Sequence, residues 1–285
     1  MEGGAMRGMF TAGVIDVFME NGIDFDGAIG VSAGATFGCN FKSRQIGRPV
    51  RYNKRFAGTR DYASLYSLLT TRDLYNAKFC YETLPWKLDI WDVETYRKNP
   101  LEFYVVCTDC ETGKAVYKRC MDGGDRDIRW IRASASMPVL SRVVVIGKKH
   151  LLDGGVADSI PLKFFQHKGY DRNVVILTQP KGYVKEANKL MPIIRLAHGN
   201  YPKLVEAMAD RHIRYNKCIA EIERQEAEGK VLVIRPEAAL EIGSMEKDPE
   251  ELERVYQEGR KVALKRLEEI RSFLNEEAVK NGKQS

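Results

Sequence analysis

The chain has 285 residues, enough for one large domain or for a core with an extension. Hydrophobic residues make up 44% and charged residues 29%, which excludes a disordered or fibrous chain, and no run approaches the ~20 apolar residues of a membrane-spanning helix. A net charge of +6 is too mild to define a partner by itself, and the start lacks the basic–apolar–small pattern of a secretory signal, so the expected location is the cytoplasm.

In chain order, Glu2-Gly3-Gly4-Ala5-Met6-Arg7-Gly8 opens the sequence as a glycine-rich loop. Phe10, Val14, Val17 and Phe18 follow at helical spacing, with Gly22 as the stop. Phe25 to Val31 reads as a short strand ending at Ser32, and Ala33, Gly34, Ala35 and Gly38 then read as a tightly packed helix. Residues 42–100 are helical but irregular and rich in aromatic side chains; within them Lys42, Arg44, Arg48, Arg51, Lys54, Arg55 and Arg60 form a basic run with no acid between 42 and 60. Such a run suits an anionic membrane surface, and suits equally a solvated helix face.

Beyond it, 101–106 and 114–118 predict a hairpin, 128–136 a helix stopping before Pro138, and 142–146 with 149–152 a second hairpin through Gly147. Residues 173–177 predict a buried strand, 190–228 a mostly helical stretch, 230–234 another strand and 249–277 one amphipathic helix. Strands alternating with helices predict an α/β fold with a sheet covered on both faces.

Three constellations carry chemistry. Gly30-Val31-Ser32-Ala33-Gly34 is a GxSxG on a strand-to-helix turn, where small neighbours tolerate a strained backbone and the helix N-terminus favours developing negative charge. The loop Gly3-Gly4-Ala5 presents N–H groups to an anion, either an oxyanion or a phosphate; for a dinucleotide fingerprint, Asp24 or Asp26 would be the ribose partner. Asp153-Gly154-Gly155 puts an acid at a strand end with two glycines to turn the chain, a pattern shared with ordinary β-turns. None of His150, His167, His198 and His212 occupies the loop setting of a triad histidine. Cys39, Cys80, Cys107, Cys110, Cys120 and Cys218 read as free thiols, and Cys107-Thr-Asp-Cys110 lacks the second pair that zinc wants.

Taken with Ala133-Ser134-Ala135-Ser136-Met137-Pro138, these blocks in this order resemble the signature of patatin-like phospholipases, bacterial members in particular, over residues 1–165. The resemblance implies a three-layer α/β/α sandwich with a central, mostly parallel sheet for residues 1–165, and a C-terminal part, 166–285, of helices and additional strands packed on it. It implies Ser32 as nucleophile and Asp153 as base, an oxyanion loop of Gly3, Gly4 and Ala5 with Arg7 close by, and motif glycines at Gly8, Gly30, Gly34, Gly154 and Gly155. The implied reaction is hydrolysis of a lipid or other acyl ester through an acyl-enzyme, with no metal or cofactor. The alternatives on the same residues are another esterase, a thioesterase or acyltransferase, and a non-catalytic lipid- or phosphate-binding module. Nucleic acid is not an expected partner, since no binding motif accompanies the charge. In the family a strand precedes the glycine loop. Here Met1 leaves no room for one: either the start is truncated or another element takes the strand's place, and a loop without an anchor would be mobile. Ala5 also stands where the family pattern has glycine.

Overall fold

A computed structural model describes residues 1–281; the last four residues of the expected C-terminal part lie outside the described residues. The chain runs α1 (Gly8–Glu20), β1 (Gly27–Val31), α2 (Ala33–Lys42), α3 (Arg48–Phe56), α4 (Leu65–Thr71), a π-helical segment (Phe79–Leu88), α5 (Val93–Lys98), β2 (Glu102–Asp109), β3 (Ala115–Arg119), α6 (Asp125–Ser134), β4 (Val144–Ile146) and β5 (Lys149–Asp153). It continues through α7 (Leu162–His167), β6 (Asn173–Ile176), α8 (Met191–His198), α9 (Pro202–Ala209), α10 (Arg211–Ala227), β7 (Val231–Ile234), α11 (Pro249–Lys265) and α12 (Leu267–Asn281). The C-terminal helix expected as one piece is two, because the backbone leaves helical geometry at Arg266.

β1 and β2 pair in parallel, Val31 opposite Val106, and so do β6 and β7, Ile176 opposite Ile234. The two predicted hairpins add antiparallel strands: β3 and β5 both pair with β2, and β4 pairs with β5. Between β1 and β6 lie Met1 and Glu2. The Met1 nitrogen donates to Ile29 O (2.9 Å) and Val31 N donates to Met1 O (3.2 Å), the ladder of a parallel strand, while Glu2 N donates to Ile176 O (3.0 Å). Two residues thus make a strand's hydrogen bonds between β1 and β6, and anchor the glycine loop that follows them.

Side-chain alternation sets the layers. Ile29, Val31, Tyr104 and Val106 face α7, and Val175, Leu177, Val231 and Val233 pack with Tyr215 and Ile222 of α10. The residues between them point the other way: Phe103, Val105 and Cys107 pack with Trp130 and Ile131 of α6 and with Cys39 of α2, and Ile176 and Leu232 join the core around α1 and α11. The result is an α/β/α sandwich with the Ser32 turn at the C-terminal end of β1. Cys107 and Cys110 are buried and free, and burial pushes the Cys110 thiol up to about 12.

Candidate active site

Ser32 ends β1 and caps α2 with φ 55° and ψ −120°, a left-handed conformation that a non-glycine residue adopts only when its surroundings enforce it. Those surroundings are small. A Cβ on Gly34 would lie 2.6 Å from Met1 O, and one on Gly3 would lie 2.8 Å from both the Ser32 Cβ and Val31 O. The glycines therefore let the Met1–Gly4 segment run directly alongside the serine turn. Gly30 is the penultimate residue of β1 and Gly8 the first residue of α1. The Ser32 N–H donates to Ser134 Oγ at 3.0 Å, which gives the Ala133–Pro138 block a function that its sequence did not disclose.

Asp153 is the last residue of β5, with Gly154 and Gly155 starting a short 3₁₀ turn behind it. Its carboxylate is buried and accepts the Gly155 N–H at 2.7 Å, and the Ser32 side chain is close enough to act on its protonation. Burial raises the Asp153 pKa above its ordinary value; Ser32, Arg211 and the Gly155 N–H each act against that rise without cancelling it. Backbone bonds fix the residue further: Asp153 N donates to Ser136 O at 2.8 Å, and the Thr108 hydroxyl donates to Asp153 O at 2.8 Å. No histidine is among the groups that act on Asp153. His150 meets Glu111 and Tyr201, and His198 accepts the Val139 N–H.

Among the described residues, the N–H groups of Gly3 and Gly4 donate to no protein acceptor. Gly4 is followed by a 3₁₀ turn, Ala5–Arg7, in which Ala5 takes a left-handed φ of 49°, a conformation natural to glycine. Arg7 is half-buried, and its Nε is buried without a partner. The loop's hold comes from Glu2. Its buried carboxylate accepts from Thr178 N (2.6 Å), Thr178 Oγ1 (3.2 Å) and the Tyr215 hydroxyl (2.7 Å), while Thr178 Oγ1 also lies 3.2 Å from Gly3 O. Sequence reasoning passed over Glu2, Thr178 and Tyr215; an acid directly before a glycine loop was the only local signal. It also passed over Arg211, whose Nε donates to Gly155 O at 2.5 Å.

A cavity of about 120 Å³ opens at Ser32 and runs beside α2 past Thr36, Phe37 and Cys39. Its outer wall comes from the irregular 42–100 region, through Tyr52, Tyr62, Tyr81 and Trp91. The basic run in that region is largely spent on structure. Lys42 is fully buried and donates to Asn99 O and Leu101 O, with burial lowering its pKa to about 8. Arg44 pairs with Asp24, Arg48 and Arg51 with Asp89, and Lys54 with Glu253. Of the run, Arg55 and Arg60 alone are exposed without an acidic partner among the described residues.

A family model for patatin-like phospholipases matches residues 1–165, more than half of the chain, and a second, a domain of unknown function designated DUF6363, matches residues 201–275. The chain belongs to the patatin-like phospholipase family, a family of lipid acyl hydrolases. It is 30% identical over 192 residues to the uncharacterized protein YjjU of Escherichia coli K12, covering 63% of this chain and 51% of YjjU. The chain thus spans about half the length of the curated relative it matches. VipD from Legionella pneumophila aligns over 94% of this chain and 66% of its own, with 12% identity and a TM-score of 0.44.

Proposed function

We propose that this protein is a serine acyl hydrolase that cleaves an acyl ester of a lipid through a Ser32–Asp153 dyad. The observation that carries the proposal is a conformationally constrained Ser32 whose side chain acts on the buried Asp153 carboxylate, next to two N–H groups without protein acceptors among the described residues. Desolvation makes Asp153 a better base than an exposed aspartate, which is what a dyad without histidine requires. In the first step the Ser32 hydroxyl attacks the ester carbonyl as its proton passes to Asp153. The negative charge on the carbonyl oxygen falls to the N–H groups of Gly3 and Gly4, a type of stabilisation worth roughly 10²–10³ in turnover per donor. Collapse expels the alcohol, which takes the proton from Asp153, and water then repeats the sequence on the acyl-enzyme. The apolar cavity beside α2 accepts the acyl chain, and the alcohol leaves on the open side.

Labelling with a fluorophosphonate probe tests this. The parent should be modified at Ser32, and both Ser32→Ala and Asp153→Asn should lose the label. A folded parent that resists the probe, or an Asp153→Asn variant labelled at the parent rate, would overturn the dyad.

A further inference from the structure

Two short helices present large aliphatic side chains to water. On α4, Leu65 and Leu69 are 68% and 83% exposed, and on α8, Ile193 and Leu196 are 49% and 88% exposed. Spacings of four and three residues put each pair on one side of its helix. Both helices have a separate inward attachment: Ser67 of α4 is buried and donates to Asp73 O at 2.8 Å, and Ile194 of α8 is buried in the core near Leu204. The exposed pairs are therefore not needed to hold the helices in place.

Both helices are tied to the same segment, residues 137–142. Leu74 N donates to Leu140 O and Arg142 N to Asp73 Oδ1, each at 2.8 Å, just beyond α4; Val139 N donates to His198 Nε2 at 3.2 Å, at the end of α8. Met137, at the start of that segment, lines the cavity that reaches Ser32. The charge around the two apolar pairs is net positive. Residues 55–72 carry three arginines against Asp61, and residues 181–198 carry Lys181, Lys185, Lys189 and Arg195 against Glu186.

Resting on the lipid-hydrolase reading above, we propose that α4 and α8 together form a docking surface for an anionic lipid bilayer, with the leucines and isoleucine entering the acyl boundary and the flanking arginines and lysines meeting the headgroups. Apolar side chains ringed by cations complement that surface, because each contributes where the other stops: the aliphatic groups leave water, and the cations remain at the negatively charged interface. Docking in this orientation brings the cavity wall at Met137 to the membrane.

Vesicle co-sedimentation of the full chain, carrying Ser32→Ala so that the lipid is not consumed, tests the surface. Phosphatidylcholine vesicles containing phosphatidylglycerol should bind it, pure phosphatidylcholine should bind it weakly, and added salt should release it. Adding Leu69→Ser and Leu196→Ser should lower binding by about tenfold or more, while the same pair in the Ser32 protein leaves turnover of a short soluble ester unchanged. Absence of binding at low salt, or binding indifferent to both leucines, overturns the surface. So does light scattering that shows a dimer which the leucine changes convert to monomer, since a second copy then covers this face. Leucine-dependent vesicle binding by a protein that hydrolyses no ester supports the surface and tells against the hydrolase.

Discussion

Glu2 and Tyr215 lie 213 residues apart in the chain and share a 2.7 Å hydrogen bond in the protein interior. That bond joins the segment leading into the glycine loop to α10. Tyr215→Phe removes one of the few donors to a buried carboxylate, and a hydrogen bond to a charged group is worth about 1.5–3 kcal/mol. We expect a loss of that size in urea unfolding, and slower fluorophosphonate labelling as the loop loosens. Parent-like labelling kinetics would show that Thr178 alone secures Glu2.

The glycine loop should respond oppositely at two neighbouring positions. Gly3→Ala puts a Cβ 2.8 Å from the Ser32 Cβ and should abolish labelling. Ala5→Gly relieves a left-handed alanine at φ 49°, a conformation costing about 1–2 kcal/mol for L residues, offset by the greater freedom of glycine in the unfolded chain. Labelling should persist and stability should hold or rise by up to ~1 kcal/mol. A destabilised Ala5→Gly would mean that the alanine methyl makes a contact worth more than its strain.

Asp153 has a raised pKa in the folded protein, so the native state holds this proton more tightly than the unfolded chain does. Between the unfolded and folded values, stability falls as pH rises, and the deficit persists above both. Asp153→Asn should therefore be inactive yet more stable than the parent at pH 7–8, with the difference vanishing below the ordinary aspartate range. The acid limb of kcat/KM should likewise lie above that range. Thermal melts and a pH–rate profile check the two halves separately.

Asp16 on α1 is another such carboxyl. Burial raises it to about 6, against hydrogen bonds to its Oδ2 from the Tyr256 hydroxyl (2.7 Å) and Gly47 N (2.8 Å), while its Oδ1 is buried without a partner. Its contribution falls as pH rises from about 4 to about 6, by roughly 3 kcal/mol for a shift of this size. Asp16→Asn should remove that share of the slope in unfolding free energy between pH 4 and pH 7; an unchanged slope would place its origin elsewhere.

The wall of the cavity depends on an ion pair inside it. Arg48 and Asp89 expose 5% and 10% of their side chains, with Arg48 Nη1 also donating to Asn40 Oδ1 at 2.9 Å. Asp89→Ala leaves a buried guanidinium without its counterion, which costs about 3–5 kcal/mol. Chemical denaturation measures this directly, and a loss below 1 kcal/mol would show that water replaces the carboxylate.

The turns at Ser32 and Asp153 were legible because such tight turns require glycines at fixed offsets, and the hairpins because turn residues punctuate alternating strands. The 42–100 region was not. A π-helical segment holding Pro85 has no simple period, and a run of cations says nothing about which acids meet them: Lys54 finds Glu253, from the other end of the chain. Glu2 was hidden for the same reason, since a buried carboxylate is explained by its partners and these lie at 178 and 215. Met1 and Glu2 supplied a strand's connections with too few residues to show a pattern.

The hydrogen bonds of Glu2 also bear on how this protein can be divided. The stretch that carries all the family's recognition residues ends at residue 165, yet its first loop is closed by a threonine and a tyrosine beyond that limit. A fragment cut there would keep every motif but lose Ile176, Thr178 and Tyr215, the partners that hold the segment before Gly3 in place. What is inherited together as a signature is therefore smaller than what must be synthesised together to work. Grafting or shuffling this serine site into another chain would have to carry Thr178 and α10 along with it.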